Sequence, residues 1–124
     1  MYDNFEDNQR YFGTAIALAI QATQVQARIA HDESTAAKEY PAQAWLHANE
    51  AAKAAALCEL ARERVEALID LDNAGENNAY TSVCADARWA QREAAKAARL
   101  AAEQQDREIR RAKKQLAREL RGEA

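Results

Sequence analysis

The chain has 124 residues, a formal net charge of −3, 48% hydrophobic and 30% charged residues, three glycines and one proline. So little glycine and proline argues against a sheet protein or a disordered one, and the length supports one domain. Two cysteines, Cys58 and Cys84, are too few for a disulfide framework, and the longest uncharged apolar stretch, Thr14 to Ile20, is far too short to span a bilayer.

No cleavable N-terminal signal is visible, so a cytoplasmic protein with reduced, buried thiols is expected. Arginine outnumbers lysine and alanine is abundant, as in proteins from a GC-rich bacterium or phage. Alanine also inflates the hydrophobic fraction. A core of methyl groups gains little at about 25 cal/mol per Å², and self-association or a protein partner would supply the missing burial. Residues 1–78 carry thirteen acids against six bases, a balance of −7, whereas 79–124 carry seven against eleven, a balance of +4. Head-to-tail or antiparallel self-pairing would neutralise that asymmetry.

In chain order, the pattern predicts a first helix over about 4–31, capped by Asp3 or Asn4. Two adjacent apolar seams, one through Tyr11, Ala15, Leu18, Ala22, Val25 and Ile29 and one through Phe12, Ile16, Ala19 and Ile20, make it wide enough to touch two neighbours. Gly13 inside it costs about 1 kcal/mol relative to alanine, a cost that the close approach of a neighbour would explain. His31 to Tyr40 reads as a connection, with Asp32, Glu33, Ser34 and Thr35 as turn residues. A second helix follows over 41–71, Pro41 fitting its first turn, although Thr35 to Glu39 would also suit an earlier start. Its bulky inward positions are Trp45, Leu57, Leu60, Ala61, Val65, Leu68 and Ile69. Asp72 to Asn78 form the second turn, with Asn73 or Gly75 ending one helix and Asn77 or Asn78 capping the next.

The third helix, about 78–121, has no proline and no glycine before Gly122. From Val83 the residues Ala87, Ala90, Ala94, Ala97 and Ala101 recur at spacings of four and three, an alanine-filled heptad seam that lets a neighbouring helix come close. After Ala102 the helix turns basic, with Arg107, Arg110, Arg111, Lys113, Lys114, Arg118 and Arg121, and its apolar side thins to one stripe of Ile109, Ala112, Leu116 and Leu120. Glu103 with Arg107 and Asp106 with Arg110 are i,i+4 pairs that support the helix in water.

These elements predict an all-α fold: an elongated three-helix up-down-up bundle with alanine-rich packing seams. With turns centred near 36 and 75, both Pro41 and His31 fall level with Ile109, and the helix from about Arg110 onward projects as a rod of roughly 18 Å. In that register Trp89 lies near Ala61, and Trp45 lies near Ala27 and Gln105. Both tryptophans read as core, with Trp45 the better candidate for an exposed interface aromatic because it sits at the open end.

Catalytic and cofactor chemistry finds no constellation. Gly13, Gly75 and Gly122 are too far apart for a phosphate loop. His47, Glu50 and Cys58 share helical spacing but fall short of the three or four convergent ligands a metal needs. Glu59, Glu63 and Glu66 beside Arg62 and Arg64 read as a solvated face. The expectation is therefore a non-catalytic interaction protein without cofactor, metal, membrane or small-molecule substrate. It would be a small adaptor, regulator or inhibitor of the kind phages and mobile elements encode, pairing with itself or a protein partner through the Ile109–Leu120 stripe. The alternative is nucleic-acid binding through the basic residues of the third helix, opposed by the acidic total charge and by the interspersed Asp106, Glu108 and Glu119.

Overall fold

The computed structural model describes the backbone of residues 3–72 and 78–122 and the side chains of 13–70 and 80–122. Three helices pack against one another: α1 (Asp3–Glu39), α2 (Ala44–Asp72) and α3 (Asn78–Leu120), with a single 3-10 turn, Pro41–Gln43, between the first two. No strand occurs among the described residues, and none of their helices is long and apolar enough to cross a membrane. The proposed caps at Asp3, Asn4, Asn77 and Asn78, the seam residues Tyr11 and Phe12, and the turn through Asn73 and Gly75 lie outside the described residues or side chains.

The first helix runs eight residues past its expected end at His31. Proline sets the true boundary. A residue before proline is pushed out of the helical region, and Tyr40 has φ −122° and ψ 72°. Tyr40 N still donates to Ala36 O at 2.8 Å, and Gln43 N donates to Tyr40 O at 2.9 Å, so the reversal is completed within one tight turn. The supposed turn residues are absorbed into α1: Thr35 Oγ1 bonds back to His31 O at 3.1 Å, and Ser34 faces inward. At the far end of α3, Gly122 takes φ +75°, the left-handed conformation that glycine adopts without strain, and its N–H reaches Glu119 O at 3.0 Å.

The core is built from alanine. Of seventeen buried hydrophobic residues twelve are alanine, and among the described residues no leucine is buried. Three layers follow one another: Ile16 and Ala19 with Val65, Ile69 and Val83; then Ala27 and Ala30 with Ala54, Ala55, Cys58, Ala87 and Ala90; then Ala37 with Ala44, Ala51 and Ala97. The seam of α3 is thus as expected, with Val83, Ala87, Ala90 and Ala97 buried and Ala94 and Ala101 half-buried. In the middle layer a polar tie joins all three helices. Thr23 Oγ1 donates to Ile20 O at 2.7 Å and meets Asp86 Oδ2 at 3.4 Å, while Cys58 Sγ donates to Thr23 O at 3.4 Å.

Two expectations about inward faces are overturned. Leu18, Val25 and Ile29 of α1 are exposed, so only the Ile16, Ala19 and Ile20 seam faces the core. On α2, Trp45, Leu57 and Leu60 are exposed, and the inward line is Ala44, Ala51, Ala54, Ala55, Cys58, Ala61, Val65 and Ile69. Alanine facing alanine brings helix axes together and leaves no room between them for a leucine. The register of α1 changes as well: His31 stands beside Trp89 and Glu93 rather than Ile109, because the chain reverses at Tyr40 and not near 36.

At Gly13 an added Cβ would meet nothing within 4 Å, so no close neighbour accounts for that glycine. Gly13→Ala is therefore expected to stabilise the protein by about 0.4–1 kcal/mol, read as a raised thermal midpoint by circular dichroism. Ala90→Leu, at a fully buried site, is expected to destabilise by about 1–3 kcal/mol in the same measurement.

Candidate functional site

The apolar stripe of α3 continues a side of that helix already engaged with α2. A cleft of about 440 Å³ lies between the two, lined by Trp45 and Ala48 of α2 and by Ala98, Ala101, Ala102 and Gln105 of α3. Stepping on by three and four residues from Gln105 reaches Ile109, Ala112, Leu116 and Leu120, all exposed. Leu120 is 80% accessible and Leu116 56%, values expected of side chains with no tertiary cover. Trp45, at 59%, forms one wall of the cleft with its ring largely in solvent. The sequence register correctly brings Trp45 beside Gln105 but not beside Ala27, which sits in the middle layer with Ala54 and Cys58.

The basic residues lie on the same helix, and most of them stand apart from any acid. Arg110 pairs with Asp106 at 3.0 Å, as the spacing predicts. Arg107 instead donates to Gln104 Oε1 at 3.1 Å, and Gln104 in turn donates to Glu108 Oε1 at 3.2 Å. Arg111, Lys113, Lys114 and Arg118 are exposed and form no ion pair with any described residue, and Arg121 is exposed at the helix end. Nearer the bundle, Arg88, Arg92 and Arg99 are also exposed and unpaired among the described residues. These three were missed in the sequence, although their four- and seven-residue spacing on the side opposite the alanine seam was there to be read.

Several other titratable groups are taken up by the fold. Glu93, on α3, is buried: it accepts from Trp89 Nε1 at 3.2 Å, its Oε1 lies 3.3 Å from His31 Nδ1, and its Oε2 lies 3.8 Å from Lys96 Nζ. Burial pushes its carboxyl upward, but the Ser34 hydroxyl, the His31 ring and the Lys96 ammonium together outweigh burial and hold it below its ordinary value. On α2, Arg62 is clamped by Glu59 Oε1 at 2.6 Å and Glu66 Oε2 at 3.2 Å, and it donates to Tyr80 Oη of α3 at 3.2 Å. The hydrogen bond from Arg62 lowers the Glu59 pKa. Glu59 and Glu66 thus hold Arg62 in place within α2, and it is Arg62 that reaches across to α3. His47 pairs with Glu33 at 2.6 Å, which joins α2 to α1.

Both cysteines are free; Cys58 is buried and Cys84 half-buried. Burial, reinforced by Asp86 and Glu59, pushes the Cys58 thiol up to about 11, so it stays protonated at neutral pH. Among the described residues no group of three or more His, Cys, Asp or Glu is placed to hold a metal ion. The arrangement offers surfaces for recognition: an apolar stripe, an aromatic wall and a row of unpaired cations. No protein-family model, curated protein or solved structure matches this chain.

Because the Glu93 carboxyl is depressed in the folded state, its contribution is present above its ordinary value of 4.5 and is lost as pH falls through the folded-state value. Glu93→Gln is accordingly expected to cost about 1–2 kcal/mol at pH 7, with the difference from the parent shrinking toward pH 3 in parallel urea titrations. With a chromogenic thiol reagent at pH 8, Cys84 is expected to react in the native protein and Cys58 only after unfolding.

Proposed function

We propose that this chain is a non-catalytic helical-bundle interaction protein that acts through protein–protein contacts and self-associates through α3. Three features support an up-down-up bundle with a projecting third helix. The three core layers take residues in rising order from α1, falling order from α2 and rising order from α3. At 43 residues against 29, α3 is longer than α2 by roughly 21 Å. Past Ala101, every described side chain except the half-buried Gln104 and Ala117 is exposed.

The observation that carries the reading is the uncovered stripe of Ile109, Ala112, Leu116 and Leu120, in a protein where none of the described leucines is fully buried and only Leu68 and Leu100 pack half-buried against the core. Burying a leucine gains about 1.5–3 kcal/mol, and here that gain is available only through association. A cytoplasmic adaptor, regulator or inhibitor of the kind encoded by phages and mobile elements fits this form of surface.

Nucleic-acid binding is the second reading, favoured by the unpaired Arg88, Arg92, Arg99, Arg111, Lys113, Lys114 and Arg118 along α3. Its distinguishing sign is a steep salt dependence of binding to labelled duplex or single strands, lost when Arg110, Arg111, Lys113 and Lys114 are changed to Glu.

Light scattering coupled to size exclusion tests the first reading. The full chain is expected to be larger than a monomer, and Leu116→Asp with Leu120→Asp is expected to weaken association by about a hundredfold or more while helicity is retained. A full-length protein that stays monomeric at high concentration removes self-association.

A further inference from the structure

A second uncovered apolar surface lies on the outer side of α1 and α2. Leu18, Val25 and Ile29 follow one side of α1 at spacings of seven and four, which is a single helical stripe. Leu57 and Leu60 are exposed on α2. The Cys58–Thr23 hydrogen bond and the His47–Glu33 pair set the two helices alongside with residue numbers summing to about 80. Leu57 therefore stands roughly level with Val25, and Leu60 roughly level with Gln21. Helix α3 contacts α1 through the opposite flank, where His31 meets Trp89, so these five side chains border the groove that α3 leaves open.

We propose that this groove is the docking site for the α3 tail of a second copy of the chain, which enters it as a fourth helix. The inference rests on the self-association reading and names the surface that receives the tail. Three properties match. The tail stripe from Ile109 to Leu120 and the α1 stripe from Leu18 to Ile29 each span eleven residue steps, about 17 Å. Both present aliphatic side chains at helical spacing, as an amphipathic helix and its receiving groove do. The tail and the body that would receive it differ in net charge: residues 103–122 carry seven bases against four acids, whereas residues 13–70, covering α1 and α2 as a whole, carry eight acids against five bases. Pairing tail with tail would instead bring two basic segments together. The contact is heterologous, tail to groove, so a protomer that has lost one half of it keeps the other.

Complementation between full-length variants tests this directly. The tail variant carries Leu116→Asp and Leu120→Asp, and the groove variant carries Leu57→Asp and Leu60→Asp, with circular dichroism verifying that each is folded. Val25→Asp on α1 replaces the groove variant should that one unfold. Each variant alone is expected to run as a monomer in light scattering, and an equimolar mixture is expected to restore a dimer, since the groove variant supplies the tail and the tail variant supplies the groove. A groove variant that associates as the parent does, or a mixture that stays monomeric, overturns the proposal while leaving self-association through α3 standing. A parent protein that is itself monomeric overturns both.

Discussion

Alanine packed on alanine sets the distance between the helices, and the rest of the structure follows from that distance. Ala27, Ala30, Ala54, Ala55, Ala87 and Ala90 fill the middle layer, which leaves no space there for a larger aliphatic side chain. The same closeness lets the Cys58 thiol reach a backbone carbonyl of α1 and lets Thr23 approach Asp86. Among the described residues, larger aliphatic side chains are buried only in the layer of Ile16, Val65, Ile69 and Val83, whereas Leu18, Val25, Ile29, Leu57 and Leu60 are displaced outward. The bundle thus holds together with a modest core while its surface carries a large apolar area.

Much of this was legible in the chain. Alanine at four and three spacing from Val83 onward identified the buried side of α3, because a residue so small and so favourable for helix has few other roles at that period. The stripe from Ile109 to Leu120 was legible for the opposite reason: four apolar positions in a basic segment stand out against their neighbours. The inward sides of α1 and α2 were not. Leu18, Val25, Leu57 and Leu60 each belong to a plausible seam, and hydrophobicity alone favours leucine over the neighbouring alanines. Only the approach distance of the third helix decides between them, and that is a tertiary property. The end of α1 was misread because Asp32, Glu33, Ser34 and Thr35 favour turns locally, whereas Ser34 here turns inward toward Glu93 and helix continues until Pro41 forbids it.

Charge plays two separate parts. Within the bundle, Glu93 with His31, Arg62 with Glu59 and Glu66, and His47 with Glu33 each engage their groups in short-range contacts, most of them between helices or clamping a residue that bridges two. Such ties fix register more than they add stability. Along the outer side of α3, Arg88, Arg92, Arg99, Arg111, Lys113, Lys114 and Arg118 form no ion pair with any described residue, and there they act at a distance, on whatever approaches.

The continuity of α3 has a mechanical meaning. One unbroken helix joins Ala97, anchored in the last core layer, to Leu116 and Leu120, so the azimuth of the distal stripe is geared to the core. Each residue inserted between them would turn the stripe by about 100° and advance it by about 1.5 Å. Seven would nearly restore its bearing; one would point the leucines to the wrong side. The tail can therefore lengthen or shorten by whole heptads with its direction kept, whereas other length changes would redirect it.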